Sequence, residues 1–216
     1  MPRALPGGYL HPWTSEYMMQ TVSVADLRGE PLRSLFYLHI QPPLFDALRA
    51  LLVAANGDVV EDGALMRAVD HGLYACWALA YGAAVALVYV FLARLGGSRS
   101  ALVGAGLFAL HPATLFYATL LDSTFVSALF VLWLGYELWR LGPGRGSTVR
   151  LALSFLLLFF TRSLAQWPLL ALLAPVLWLR GCEWRRALRL LAALGLVIGL
   201  FLAKQAALFG LTITSS

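Results

Sequence analysis

The sequence predicts an all-α protein, a polytopic bundle of membrane helices, on three observations. Of 216 residues, 60% are apolar and 12% charged, with a mean hydropathy of +0.76. A soluble domain of this size carries about a quarter charged residues. Six runs contain no charge: 71–93, 100–112, 123–136, 151–161, 163–179 and 190–203. The links between them alternate in charge. This composition excludes a disordered chain, and 19 Gly and 10 Pro without a G-x-y period exclude collagen. Two cysteines, Cys76 and Cys182, cannot build a disulfide framework and read as small buried hydrophobes.

Each run is justified by the cost of its alternative: a charge at a helix centre costs about 2.5–3.5 kcal/mol on the insertion scale. Several runs are short, since a 12-residue helix covers roughly 18 Å of a hydrocarbon core about 30 Å thick. The runs 151–161 and 163–179 meet at Thr161-Arg162-Ser163 and are expected to be two short helices that touch near one interface. The run 100–112 closes on His111-Pro112, and Pro112 cannot donate to residue 108, so a helix ends or kinks there.

The links Arg94–Arg99, Arg140–Arg150 and Arg180–Arg189 hold nine Arg against Glu137 and Glu183; the opposite side holds seven cations and nine acids. The balances are +7 and −2, together the +5 of the chain. The positive-inside rule therefore puts the Arg-rich links in the cytoplasm, and residues 1–65, His111–Asp122, Arg162 and the C-terminal tail outside. The expected organisation is an extracytoplasmic segment over 1–65 followed by a membrane bundle over 66–216, with the first span beginning near Asp70. Residues 1–30 have no continuous apolar core of the kind a cleavable signal needs. The outer segment is then translocated by the first span, or an upstream helix precedes it.

Residues 43–55, PLFDALRALLVAA, set Leu44, Leu48, Leu51 and Leu52 on one helical face, with Asp46 and Arg49 off it. Thirteen residues are too few to span, which fits a helix lying in the outer interface. Just before it, Pro42-Pro43 forces an extended backbone and holds His39 and Gln41 above that helix; a plain helix start with a solvated His39 fits as well. Glu16 follows Thr14-Ser15, either of which can cap a short helix with Glu16 in its first turn; Asp26 is a second outer acid. Asp122 opens a run as an N-cap with Ser123, or faces a site. Arg67, Arg162 and Lys204 are cations on the outer side. An ionisable group beside a membrane cavity reads as functional by default, although a cation at a helix end also snorkels. No phosphate-binding loop, dinucleotide fingerprint, HExxH or CxxC is present, and no charge lies within a run where a coupled carrier needs one.

The order is an outer acid, about two dozen residues, His39-Ile40-Gln41-Pro42-Pro43-Leu44-Phe45, an interfacial helix, a span, an Arg-rich turn and a short span. An outer Pro-containing loop and an Asp follow. It resembles the GT-C membrane glycosyltransferases, nearest the group of dolichyl-phosphate-mannose protein mannosyltransferases and bacterial lipid A aminoarabinose transferases. Those carry a His-Pro-Pro-Leu or Lys-Pro-Pro-Leu string after the first outer loop. Leu35-Phe36-Tyr37-Leu38-His39 is similar to the lead-in of bacterial relatives, and Phe209–Ser216 to a stretch after a middle span. Members begin with a helix before the acidic loop and continue well past the point corresponding to Ser216, so the chain corresponds to the N-terminal part of such a module.

The resemblance implies an inverting transfer of a sugar from a polyprenyl-phosphate donor to an outward-facing acceptor, at the extracytoplasmic face of a bacterial plasma membrane. Glu16, then Asp26, is the implied base; His39, Gln41, Arg67, Asp122, Arg162 and Lys204 are the implied donor-binding residues. No metal ligand set is evident and no cofactor is expected. The expected partners are membrane lipids, the lipid-linked donor and further membrane subunits, not nucleic acid. The alternative is a non-catalytic subunit of a larger membrane complex that reuses part of the fold.

The charge split makes a direct prediction. With Cys76 and Cys182 replaced, a cysteine placed at Asp58 is labelled from outside and one at Gly144 is not; the reverse pattern inverts the whole assignment of sides.

Overall fold

The computed structural model describes Ser15 and residues 21–38, 42–141, 147–162 and 167–210. Among these, all regular structure is helical: α1 (Val24–Gly29), α2 (Pro31–Phe36), α3 (Leu44–Ala55), α4 (Asp62–Leu110), α5 (Pro112–Thr119), α6 (Ser123–Arg140), α7 (Thr148–Thr161), α8 (Trp167–Leu179) and α9 (Trp184–Phe209). Each of the six apolar runs falls on helix in its described part, save His111, which separates α4 from α5. The chain divides into two compact units, with the boundary inside α6 between Val126 and Ser127.

In the first unit, α4 is two helices folded back on each other. Gly97 breaks it with φ 84° and ψ 171°, a conformation that only glycine adopts without strain. The arms 62–96 and 98–110 then run antiparallel: Tyr81 Oη donates to the Ala109 carbonyl at 2.7 Å, and Leu92 lies so close to Gly104 that a Cβ there would stand 2.4 Å from Leu92 Cδ1. Ser100 Oγ donates to the carbonyls of Gly96 (2.6 Å) and Gly97 (3.0 Å) and closes the turn. The Arg-rich link Arg94–Arg99 is this turn.

As Pro112 requires, the second arm stops at Leu110. His111 caps α5, its Nδ1 accepting from Ala113 N at 3.2 Å, with Pro112 in the first turn, where its missing N–H costs nothing. The short helices α1, α2 and α3 pack with one another, and α1 and α3 also pack with α4. Leu52 of α3 fills the space left by Gly72, where a Cβ would meet its Cδ2 at 2.7 Å. Phe45 meets Trp77 edge-on, ring centroids 5.8 Å apart.

The second unit has an apolar core. Leu190, Leu194, Ile198 and Leu202, one stripe of α9, pack with Leu151, Phe155, Leu158 and Phe159 of α7 and Leu173 and Leu177 of α8. Thirteen or fourteen residues give α7 and α8 lengths of about 20 Å. α8 ends in a Schellman motif: Gly181, at φ 66°, donates to Trp178 O (2.9 Å) and Cys182 N to Leu177 O (3.0 Å). The one buried acid of this unit among the described residues, Glu137, takes Arg150 Nε at 3.3 Å and Trp133 Nε1 at 3.4 Å.

α4 and α9 are long and apolar enough to cross a membrane, and only 11% and 22% of their most apolar windows is buried inside the protein. A core helix of a soluble protein is mostly buried. Here large apolar side chains such as Leu79, Leu102, Leu107, Leu196 and Leu200 face outward, which points to association with a membrane.

Gly97→Ala puts a Cβ into a conformation reserved for glycine. It is expected to lower stability by about 1–3 kcal/mol, read as a lower melting temperature of the detergent-solubilised protein; an unchanged melting temperature would show that the turn is not held in this conformation.

Candidate functional site

A buried, hydrogen-bonded polar node lies in the first unit. α3 turns Asp46 and Arg49 into the protein together with Phe45, Ala50 and Val53: both charged side chains have no exposed surface, whereas Leu51 is 68% exposed and Leu44, Leu48 and Leu52 are half-buried. Spaced i, i+3, they pair directly, Arg49 Nη1 to Asp46 Oδ1 at 2.8 Å. The pair grips the backbone of Val22 from both sides. Val22 N donates to Asp46 Oδ1 at 3.2 Å, and Arg49 Nη1 donates to Val22 O. Arg49 Nε and Nη2 are buried without an acceptor among the described residues.

From Val22 the node extends both ways along the chain. Upstream, Thr21 Oγ1 donates to Ser15 O at 3.1 Å. Ser15 in turn donates to Asp70 Oδ1 of α4 from its hydroxyl (2.6 Å) and its backbone N–H (3.2 Å), and both side chains are fully buried. A hydroxyl on a carboxylate at this distance is a charge-assisted bond, about twice as strong as a neutral one. Downstream, Ser23 caps α1: its Oγ accepts from Asp26 N (3.1 Å) and donates to Asp26 Oδ2 (2.7 Å). One hydrogen-bonded string therefore ties α4, Ser15, residues 21–26 and α3 together.

Glu16, His39 and Gln41 lie outside the described residues. Asp26 is exposed in the first turn of α1, held by Ser23. Arg67 is half-buried one turn before the histidine that bonds it, its carbonyl contacting His71 Nδ1 at 2.7 Å. Asp122 takes the capping role: Oδ1 accepts from Thr124 N (2.8 Å) and Oδ2 from Thr124 Oγ1 (2.7 Å), at the start of α6.

In the second unit Arg162 follows the last turn of α7 in extended conformation (φ −146°, ψ 136°). Lys204 Nζ stands 5.1 Å from the centroid of Phe201, and Phe201 packs edge-on against Phe159 and Phe160 of α7, centroids 5.8 and 5.4 Å away. Arg162 and Lys204 therefore sit at the same end of the α7–α9 pair. Among the described residues no three His, Cys, Asp or Glu side chains converge as metal ligands do.

Asp46, Arg49 and Asp70 were not candidates from sequence. The signal that could have found the first two is their i, i+3 spacing on the side of α3 away from its leucines; nothing local distinguishes Asp70 from an acid at a helix start.

Comparison with protein-family models, with curated proteins and with solved structures gives no match.

Removing one partner of a buried pair leaves the other charge uncompensated. Arg49→Ala is expected to cost about 3–5 kcal/mol and to open the chain at residues 21–23 to limited proteolysis. Unchanged melting and an unchanged cleavage pattern would mean that the clamp on Val22 does not form.

Proposed function

We propose that this chain is an integral membrane protein of the glycosyltransferase type, its six apolar helices set in the bilayer and its first 65 residues outside. It transfers a sugar from a polyprenyl-phosphate donor to an extracytoplasmic acceptor. The single observation that supports this most directly is the tie of Ser15 to Asp70. It fixes Ser15, the residue before Glu16 in sequence, to the early part of the first apolar helix, α4. A transferase that draws its donor from the membrane needs its base fixed at that level, because donor and acceptor have to meet in a near-attack arrangement.

In this reading Glu16 takes the proton of the acceptor hydroxyl as its oxygen attacks the anomeric carbon. The bond from that carbon to the lipid phosphate breaks, and the phosphate leaves with the electron pair. Asp26 is the second choice of base. Arg162 and Lys204 suit the departing phosphate: both are cations at one end of a helix pair. Fixed positive charge is worth most in a water-poor site. His39, Gln41 and Arg67 would hold the donor head, and Asp122 would act through the start of α6.

The test is transfer of labelled sugar from a polyprenyl-phosphate donor in proteoliposomes. Glu16→Gln is expected to lose activity by about 10²–10⁴-fold with donor binding retained, and Arg162→Ala to weaken donor binding as well as turnover. Full activity in Glu16→Gln moves the base to Asp26 or removes the mechanism. No transfer from any donor, with co-purification of other membrane subunits, replaces the enzyme by a structural subunit.

A further inference from the structure

The second unit carries a cationic end that the proposed transfer does not use. Arg180, in the turn between α8 and α9, donates from Nε to Leu141 O at 3.3 Å and from Nη2 to Trp139 O. These bonds bring the end of α6, with Arg140, to the beginning of α9, where Arg185 and Arg189 are exposed one turn apart. Arg189 Nε donates to Arg185 O at 3.3 Å, and Arg185 Cζ stands 5.6 Å from the ring centroid of Trp184. Of the acids nearby, Glu137 is buried against Arg150, and Glu183 is exposed in the turn. The end is therefore strongly positive in net charge.

Two further features determine what it fits. Trp178 and Trp184, on either side of the turn, are 79% and 67% exposed, as tryptophans are at a bilayer interface. Along α9 an exposed apolar face, Leu188, Leu196 and Leu200, continues directly from Arg185 and Arg189. It lies opposite the stripe Leu190–Leu194–Ile198–Leu202 that packs into the core. A soluble anion, whether nucleotide or acidic peptide, would meet the charge and leave that apolar face bare. A molecule with an anionic head and acyl tails meets both.

We propose that this end of the second unit is a binding surface for anionic phospholipid, with the headgroup phosphate on Arg185 and Arg189, the glycerol region at Trp184 and the acyl chains along the outer face of α9. Arg180 is a positioning residue, since its Nε and Nη2 donate to the carbonyls of Leu141 and Trp139 at the end of α6. Within the second unit the surface lies at the end of α9 opposite Lys204, and the proposal holds whether or not the chain is an enzyme.

The experiment uses the full chain in nanodiscs of phosphatidylcholine doped with brominated lipid, which quenches tryptophan on contact. Brominated phosphatidylglycerol is expected to quench at a mole fraction about 25-fold lower than brominated phosphatidylcholine, roughly fivefold for each arginine. The preference should disappear in Arg185→Gln/Arg189→Gln, and the phosphatidylglycerol-selective part of the quenching should fall in Trp184→Phe, while the exposed Trp178 is still quenched. Arg185→Lys/Arg189→Lys, which keeps the charge, should retain it, and raising the salt should weaken it. Equal quenching by the two lipids overturns the proposal, as does a preference that survives the glutamine variant or high salt. Should the glutamine variant fail to fold, the salt series on the unmutated chain decides alone. Relief of quenching by millimolar pyrophosphate, with no preference between the lipids, would identify a site for a soluble anion instead.

Discussion

The ion pair between Asp46 and Arg49 is the constraint on which the first unit depends. Two opposite charges without solvent exposure are tolerated in a protein when they neutralise each other and when their remaining hydrogen-bonding groups find partners. Here the partner is the backbone of half-buried Val22, whose N–H and C=O belong to no helix. The pair therefore determines which side of α3 faces in. Once Asp46 and Arg49 point inward, Leu51 has to point out, and Leu52 comes to rest on Gly72. Phe45, Ala50 and Val53 are buried with the pair, Leu44, Leu48 and Leu52 are half-buried and only Leu51 of the α3 leucines is exposed, so contacts with neighbouring segments set the face of the helix.

The same logic shapes α4. Between helices in lipid there is little hydrophobic driving force, and association rests on close van der Waals approach at small residues. Gly104 against Leu92 and Gly72 against Leu52 are two such approaches, and the hydrogen bond from Tyr81 to the Ala109 carbonyl is the polar counterpart. The turn between the arms has no such freedom: Gly97 is in the one conformation closed to every other residue, while the hydroxyl of Ser100 satisfies the carbonyls that the turn leaves open.

In the second unit the ends of the helices carry the polar chemistry and the middles carry the packing. Leucine, isoleucine and phenylalanine of α7, α8 and α9 form the core, and at one end Phe201 stands between the aromatic pair of α7 and the Lys204 ammonium. At α8 and α9 the tight turn at Gly181 allows Arg180 to reach back to α6, so that one guanidinium ties three helices. Cations stand at both ends of this helix group, in different company: Lys204 over the ring of Phe201 at one end, Arg185 and Arg189 beside exposed tryptophans at the other.

The helices were legible in the sequence because each rests on local information. Charge-free runs, Pro112, the Pro42-Pro43 pair and the Arg-rich links mark where helices run and where they turn, and α3 and both arms of α4 follow those marks. The capping of α6 by Asp122 was legible for the same reason, as it involves residues two apart. By itself the sequence also determined that the apolar surface is too large for this chain to bury. It could not reveal which polar residues turn inward. Ser15 and Asp70 are 55 residues apart and Val22 and Arg49 are 27 apart, and no periodicity relates them. Asp46 and Arg49 read as the wet side of a surface helix until the backbone that they hold is in view. That choice belongs to the tertiary structure, because a buried charge is stable only through partners that distant parts of the chain supply.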